Sequence, residues 1–243
     1  MSTSNCLTKL NYDPLPIDLK EKLIEFALEV HQKKIGLRVV ANIVPTGESD
    51  VDTSKSDNNV FIYLLHPKLT KRIQEHYAAF FNEQPTLSTR PGRGVVVQVI
   101  NGPLDGEEFN VIHPHTDPDS RPKTLMYILS PGGNNVKTTW YKIKNEKIDY
   151  KETLYENSNL YDYDLPIYSA NTLDPIEDHI MEEDGWYAFN HSITHGVTNI
   201  ESTRVILTCM LDYEKITAEN KNEHNQEYLV KLLSDWDTLD CMK

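Results

Sequence analysis

Three residues in two short histidine clusters have the types and the spacing of a metal site. In the first cluster, FNVIHPHTDPDSRP (109–122), His115 and Asp117 are two residues apart. If one strand continues through both, their side chains leave the same face, because successive strand residues alternate between faces. The second cluster is FNHSITHGVTNIESTR (189–204), and its His195 could supply a third ligand from a neighbouring strand.

The chemistry of this triad follows from the metal positions that it leaves open. Two histidines and one carboxylate on one side of an octahedral ion leave the opposite positions vacant, as in non-haem iron(II) oxygenases. Those positions are needed for O₂ and for a chelating cosubstrate. The triad therefore predicts an iron-dependent oxidation.

An arginine near the second cluster fits a cosubstrate with two carboxylates. Arg204 lies nine residues after His195, at the start of the apolar segment VILTCML (205–211). A guanidinium can bind a carboxylate through two parallel hydrogen bonds. A dicarboxylate that chelates the metal through one end would need such a partner at its other end.

The order of these residues resembles the His-x-Asp…His…Arg pattern of Fe(II)/2-oxoglutarate-dependent dioxygenases. The pattern here is HTD (115–117), then His195 and Arg204. The nine-residue step between the last two, and the strand-like segment RPKTLMYIL (121–129), are similar to prolyl hydroxylases. The segment WYAFNHSITHGVTNIESTRVIL (186–207) also resembles the aspartyl/asparaginyl β-hydroxylases.

The resemblance covers residues 94–211 and implies a double-stranded β-helix, or jelly roll, with iron at one open end. It implies that His115, Asp117 and His195 hold Fe(II). Arg204 would then bind the distal carboxylate of 2-oxoglutarate. Such enzymes use O₂ to convert 2-oxoglutarate into succinate and CO₂ while they hydroxylate an unactivated C–H bond. An amino acid, a protein residue or a small metabolite would fit as the substrate.

Further site residues are implied by the same resemblance. Related enzymes often hold the 2-oxoglutarate carboxylate with a hydroxyl or aromatic group as well, and Tyr127 and Thr139 are candidates for this role. Arg121 either forms a turn pair with the neighbouring Asp119 or contacts the substrate.

Two alternatives remain open at this point. The motifs HPH (113–115) and HGVTN (195–199) are partly similar to those of cupins. A cupin-type metal-binding protein, isomerase or dioxygenase would not use 2-oxoglutarate, and it would have no role for Arg204. The other alternative is a β-sandwich interaction protein that takes up no metal. In the oxygenase interpretation, His113 and His191 are neighbours of the site or surface groups.

The elements that must position these residues are mostly short strands. Helical spacing of apolar residues predicts a helix over residues 17–32, a second helix after Pro67 and a last helix that includes Trp236. Between them lie short segments rich in β-branched and aromatic residues, separated by turn residues. These segments are 94–100, 124–129, 136–141, 185–190 and 203–211. The pattern predicts a mainly β fold with flanking helices, of the sandwich or barrel type.

The chain shows no linker strong enough to divide it, so we expect a single domain over residues 1–243. Its expected parts are a helical amino-terminal support (1–85), a jelly-roll core (86–215) and a carboxy-terminal helix (216–243). The core contains an acidic, tyrosine-rich insert (143–183) with little clear period. A loop of this length is usually a lid, a recognition loop or disordered.

Composition excludes several classes of protein. The 24 Lys and Arg residues against 37 Asp and Glu give a net charge of −13. This charge argues against nucleic acid as a partner, because such binding needs a basic surface. There is no apolar run of about 20 residues to span a membrane, and no signal-peptide pattern. The three cysteines do not suggest a disulfide framework. We therefore expect a cytoplasmic protein that acts on a small-molecule or peptidyl substrate and does not associate with a membrane.

Overall fold

The computed structural model describes nine segments of the chain. They are residues 6–45, 60–76, 95–103, 106–116, 123–144, 153–157, 160–167, 172–209 and 234–242. Asp117, Arg121 and most of the predicted last helix lie outside the described residues. No helix in the described segments is long and apolar enough to cross a membrane.

Besides a short 3₁₀ helix (Asp240–Met242), the described residues contain two complete α-helices and thirteen strands. In chain order they are β1 (Leu7–Leu10), α1 (Ile17–Lys33), β2 (Leu37–Pro45), β3 (Val60–Leu64), α2 (Pro67–His76), β4 (Val95–Ile100), β5 (Asn110–His115), β6 (Lys123–Ser130), β7 (Lys137–Ile143), β8 (Thr153–Asn157), β9 (Leu160–Ile167), β10 (Leu173–Ile180), β11 (Trp186–Asn190), β12 (His195–Ile200) and β13 (Arg204–Cys209). Both predicted amino-terminal helices are confirmed.

Eight of the strands form a jelly roll. The strands β11-β6-β13-β4 are neighbours in a large sheet, and β10-β7-β12-β5 form a small sheet, with every pair antiparallel. Aromatic side chains of the two sheets meet between them, for example Phe189 of β11 and Trp140 of β7, whose ring centroids are 5.0 Å apart. This strand order confirms the predicted double-stranded β-helix. We call the face that each sheet turns toward the other its inner face.

The outer face of the large sheet is covered by α1. This helix buries one apolar stripe, which includes Leu19, Leu23 and Phe26 at helical spacing. The hydroxyl of Tyr127 in β6 accepts a hydrogen bond from the backbone N–H of Leu15, just before the helix (3.1 Å). Because both faces are covered, the central strands of the large sheet are apolar at nearly every position, as in VVVQVI and RVILTC.

The structure differs from the predicted organisation in two regions. The amino-terminal part is not only helical, because β1, β2 and β3 extend the large sheet. The insert 143–183 contains β8, β9 and β10, and β10 belongs to the jelly roll itself. Its sequence, LDPIEDHI, conceals this role because β10 is an edge strand that exposes most of its residues.

The carboxy-terminal segment 234–242 is fastened to α1 by a carboxylate. Glu29 accepts hydrogen bonds from the backbone N–H groups of Asp240 (2.8 Å) and Cys241 (2.9 Å) and pairs with Lys33. Burial alone would raise the pKa of Glu29, but these donors outweigh it and lower the pKa to about 2. The segment is thus held by a carboxylate that stays charged.

Candidate active site

Two histidines face each other at the junction of β5 and β12. His115 is the last residue of β5 and His195 the first of β12, and the two are paired across the small sheet. Their ring centroids are 4.6 Å apart, and each residue is about 95% buried, with relative exposures of 6% and 5%. The structure therefore brings together two of the three predicted metal ligands.

Both imidazole rings are oriented by the same kind of hydrogen bond. His115 Nδ1 is 2.8 Å from the carbonyl oxygen of His113, and His195 Nδ1 is 2.8 Å from that of Ile193. A carbonyl oxygen only accepts, so in each ring Nδ1 carries the hydrogen. In the neutral ring Nε2 then has the lone pair, and this is the tautomer that binds a metal through Nε2.

A bulge in β5 determines which histidines share a face. His195 pairs with His115, but Val197 pairs with Ile112, so one residue of β12 lies opposite two of β5. This extra residue places Ile112 and His115 on one face and turns His113 to the other. Burial, and in smaller part the nearby His115, lower the pKa of His113. The geometry agrees with the expectation that His113 is a neighbour of the site.

The bulge also explains the glycine that follows His195. A Cβ atom on Gly196 would come within 2.9 Å of the carbonyl oxygen of Ile112 and 3.1 Å of the nitrogen of Pro114. Both contacts are to backbone, which cannot rotate away as a side chain could. Glycine is thus required where β12 passes the bulge.

Aromatic residues enclose the two histidines. Phe189 lies edge-on to His195 with ring centroids 4.9 Å apart, and Trp140 and His191 also contact this cluster. Trp140, Phe189 and His191 are all buried. An apolar wall of this kind keeps water from one side of the histidine pair and strengthens electrostatic interactions there.

Arg204 lies on the inner face of the large sheet. Arg204 and Leu207 are three residues apart on β13, so they point to opposite faces. Leu207 is paired with Tyr127, whose hydroxyl on the outer face accepts a hydrogen bond from Leu15, two residues before α1. The guanidinium therefore belongs to the side that faces the histidine-bearing sheet.

The charge of Arg204 has no counterpart in the described part of the chain. The residue is only 2% exposed, yet its Nε and Nη1 atoms have no hydrogen-bond partner among the described residues. Burial lowers the pKa of Arg204 to about 10, so the group is still cationic at neutral pH. A buried cation without a partner is costly, so this site fits an anionic ligand from outside the chain.

Two buried threonines add hydrogen-bonding groups to the same space. Thr208 lies four residues after Arg204 on β13 and shares its face, and Thr138 shares the inner face of β7 with Trp140. Each is 1% exposed, and neither hydroxyl has a partner among the described residues. Sequence analysis missed both, although the four-residue step from Arg204 along one strand was a usable signal.

Tyr127 and Thr139, which the sequence suggested as further carboxylate anchors, are on the opposite faces of their strands. The Tyr127 hydroxyl lies on the α1 side and donates to Asp184 (2.8 Å). Thr139 follows the inward-facing Thr138, and its hydroxyl donates to Asp178 on the outer face (2.7 Å). This register corrects both assignments: the inward-facing residues are their immediate neighbours, as the alternation of strands requires.

The described residues do not contain the complete predicted metal site. Among them, no group of three His, Cys, Asp or Glu side chains is placed to hold a metal ion. Asp117, the predicted third ligand, directly follows the last described residue of its segment, Thr116. Arg121, the predicted turn or substrate residue, is also outside the described residues.

Similarity to known proteins is found only among solved structures, since no protein family and no curated protein matches the sequence. One similar structure is a prolyl-4-hydroxylase from Pseudomonas putida, with 14% identity and a TM-score of 0.44 over 85% of this chain and 92% of that one. Another is the Escherichia coli ribosomal oxygenase YcfD in complex with cobalt and 2-oxoglutarate, with 11% identity, a TM-score of 0.36 and 95% of this chain covered. The match spans 52% of the YcfD chain.

Proposed function

We propose that this protein is an Fe(II)- and 2-oxoglutarate-dependent oxygenase. The observation that carries the proposal is the guanidinium of Arg204, buried on the inner face of the jelly roll that also presents His115 and His195. Its Nε and Nη1 atoms have no hydrogen-bond partner among the described residues. The histidines have the tautomer needed for a metal, and the arginine needs an anion. A dicarboxylate that chelates the metal through one end would satisfy both.

Each residue has a distinct role in this proposal. His115 and His195 hold the iron through Nε2, and Asp117 is the third ligand that the HTD motif predicts. Arg204 binds the distal carboxylate of 2-oxoglutarate as a charge-assisted pair. When bound together, iron and 2-oxoglutarate supply the activation of O₂ that oxidises a C–H bond, with succinate and CO₂ as coproducts.

The remaining inner-face residues would position the cosubstrate and limit side reactions. The hydroxyl groups of Thr208 and Thr138 can donate to carboxylate oxygens that are otherwise unmatched in a buried space. Trp140 and Phe189 cover one side of His195 and restrict the access of water.

The expected reaction is hydroxylation of an amino acid, a protein residue or a small metabolite. A cupin-type metal protein that does not use 2-oxoglutarate remains the alternative, but it leaves the buried charge of Arg204 without a function. The net charge of −13 favours substrates other than nucleic acid. We expect the enzyme to act in the cytoplasm.

The test is an anaerobic titration of metal-free protein with Fe(II) and then with 2-oxoglutarate. A weak visible charge-transfer band should appear only when both are present. The Arg204→Met variant should still bind iron but should give little band at the same 2-oxoglutarate concentration. Arg72→Met is the matched control, because Arg72 is a half-exposed arginine on α2 that pairs with Asp18.

The outcomes separate the alternatives. Iron binding without a band on addition of 2-oxoglutarate would favour the cupin interpretation. Absence of iron binding by folded protein would reject both metal-dependent functions. An equal loss of the band in Arg72→Met would show that the effect of Arg204→Met is not specific to the site.

A further inference from the structure

A pair of threonines joins the two strand ends that carry the histidines. The hydroxyl groups of Thr116 and Thr194 are 2.8 Å apart and form a hydrogen bond. Thr116 follows His115 directly, and Thr194 directly precedes His195. The backbone of Thr194 is itself fixed, because its carbonyl accepts a hydrogen bond from the N–H of Tyr141 in β7 (2.8 Å).

A second hydroxyl contact lies at the other end of the motif segment. Thr124 Oγ1 is 2.6 Å from Nε2 of His191, and both residues are buried. Thr116 and Thr124 therefore flank residues 117–122 closely on either side, and both are bonded to the same turn before His195. The sequence between them includes the predicted ligand Asp117.

These side-chain bonds matter because the backbone pairing is irregular here. Between β5 and β12 the register shifts on both sides of Val197, so regular ladder hydrogen bonds are interrupted at the bulge. The bulge separates the His115–His195 pair from the rest of the ladder, so an additional constraint on the distance between these two strand ends would stabilise the pair. The threonine pair supplies a direct one.

We propose that the hydrogen bond between Thr116 and Thr194 is a positioning contact that slows the release of the metal. The bond between Thr124 and His191 holds the start of β6 to the same turn. Neither threonine of the pair needs to touch the metal; the bond holds the ligand-bearing backbones at a fixed separation. This inference rests on the proposed function, since it assumes that His115 and His195 bind a metal.

The experiment measures how fast Co(II), used in place of Fe(II), leaves the full-length protein. Cobalt-loaded protein is mixed with excess EDTA, and the decay of the cobalt absorption bands gives the release rate. Thr194→Val, which keeps the shape but removes the hydroxyl, should release cobalt about tenfold faster, the lower end of the effect usual for groups that orient metal ligands. Thr194→Ser, which keeps the hydroxyl, should release it at close to the wild-type rate.

Two further variants isolate the bond. Thr116→Val removes the same bond from its less buried side, and it tests the proposal even if Thr194→Val does not fold. The double valine variant should release cobalt no faster than the faster single variant, because all three lack one and the same bond. Ser192→Ala is the control, since Ser192 lies in the same turn and, within the described part of the chain, its hydroxyl donates to the nearby Asn190 side chain and not to the threonine pair. The melting temperature of each metal-free variant is measured in parallel and should change little.

Several results would overturn the inference. Equal release rates for wild type and both single valine variants would do so, as would equally fast release from Thr194→Val and Thr194→Ser. Additive effects in the double variant would show that the two hydroxyls act separately. Any of these would leave the proposed function standing, whereas wild-type protein that binds no cobalt would overturn both.

Discussion

Two regions of the described structure bury a cationic side chain, and they differ in whether the chain supplies an anionic partner for it. On the outer side of the large sheet, Lys20 of α1 is 8% exposed, and its ammonium lies 2.6 Å from Glu183 and 2.8 Å from Asp184. Inside the jelly roll, Arg204 is 2% exposed, and its Nε and Nη1 atoms have no partner among the described residues.

The difference distinguishes a buried charge that is paired within the fold from one that is proposed to bind a ligand. Burial alone would lower the pKa of Lys20, but the hydrogen bonds to Asp184 and Glu183 outweigh it and the pKa is raised. Burial lowers the pKa of Arg204 and nothing in the described residues opposes it. Among the described residues, the chain supplies anionic partners for Lys20 but none for the Nε and Nη1 atoms of Arg204.

The largest expected effect comes from removing the guanidinium of Arg204. Arg204→Met should weaken the binding of 2-oxoglutarate to cobalt-loaded protein by about a hundredfold, roughly 2.8 kcal/mol, because a buried charge-assisted pair is lost. The same variant without ligand should be at least as stable as wild type, since it removes an unpaired buried charge. Calorimetric titration and chemical denaturation measure the two quantities. A variant that loses stability and retains affinity would reverse the comparison.

The second effect is stabilisation of the folded protein by the proposed anionic ligand, 2-oxoglutarate. At 2-oxoglutarate concentrations of about a hundred times the dissociation constant, the ligand should stabilise cobalt-loaded wild type by about 2.7 kcal/mol. Lys20→Met should keep this gain, and Arg204→Met should lose it. Thermal unfolding with and without 2-oxoglutarate gives the result, and a gain that is equal in both variants would remove Arg204 from the binding site.

A smaller effect is expected from removing the ion pairs that Lys20 forms with Glu183 and Asp184. Lys20→Met should lower the free energy of unfolding by about 1 kcal/mol, because the side chains of Glu183 and Asp184 are 52% and 39% exposed and can be solvated again. Urea denaturation measures the change. Lys22→Met, which removes a looser ion pair with Glu25 on the same helix, is the control and should have less effect.

The smallest effect concerns the pH dependence of the Glu29 contact. The folded-state pKa of about 2 lies below the usual value of 4.5, so the contact contributes its full stability above pH 4.5 and loses it as the pH falls toward 2. Wild type should therefore be more stable than Glu29→Gln at pH 6, and the difference should shrink as the pH is lowered. Melting temperatures over this range test the sign.

The sequence predicted those parts of the fold that depend on local pattern. Short runs of β-branched residues located five jelly-roll strands, and helical spacing located α1 and α2. The residues of LRVVANIVP (37–45) carry a similar β-branched signal but were assigned to a helical region. The strand β10 could not be found in this way, because an edge strand buries too few residues to produce an apolar pattern.

The candidate site was predictable only where motif spacing determines it. His115 and His195 are placed together as the motif requires, and Arg204 is buried on the inner face. The prediction that Tyr127 faces the site was wrong. Which residue of β6 faces inward depends on the register of β6 against β13, and no local sequence signal reveals this register. The role of Asp117 stays a prediction.

The bulge in β5 also determines how this strand responds to changes in length. Residues before and after the bulge are out of phase, so Ile112 and His115 share a face although they are three positions apart. Deleting one residue between them would restore the regular alternation and turn either the apolar half of β5 or His115 to the wrong side. A shortened β5 would therefore lose either the packing of its apolar half or the position of His115, the proposed ligand. In this strand, chain length constrains the site as strictly as residue identity does.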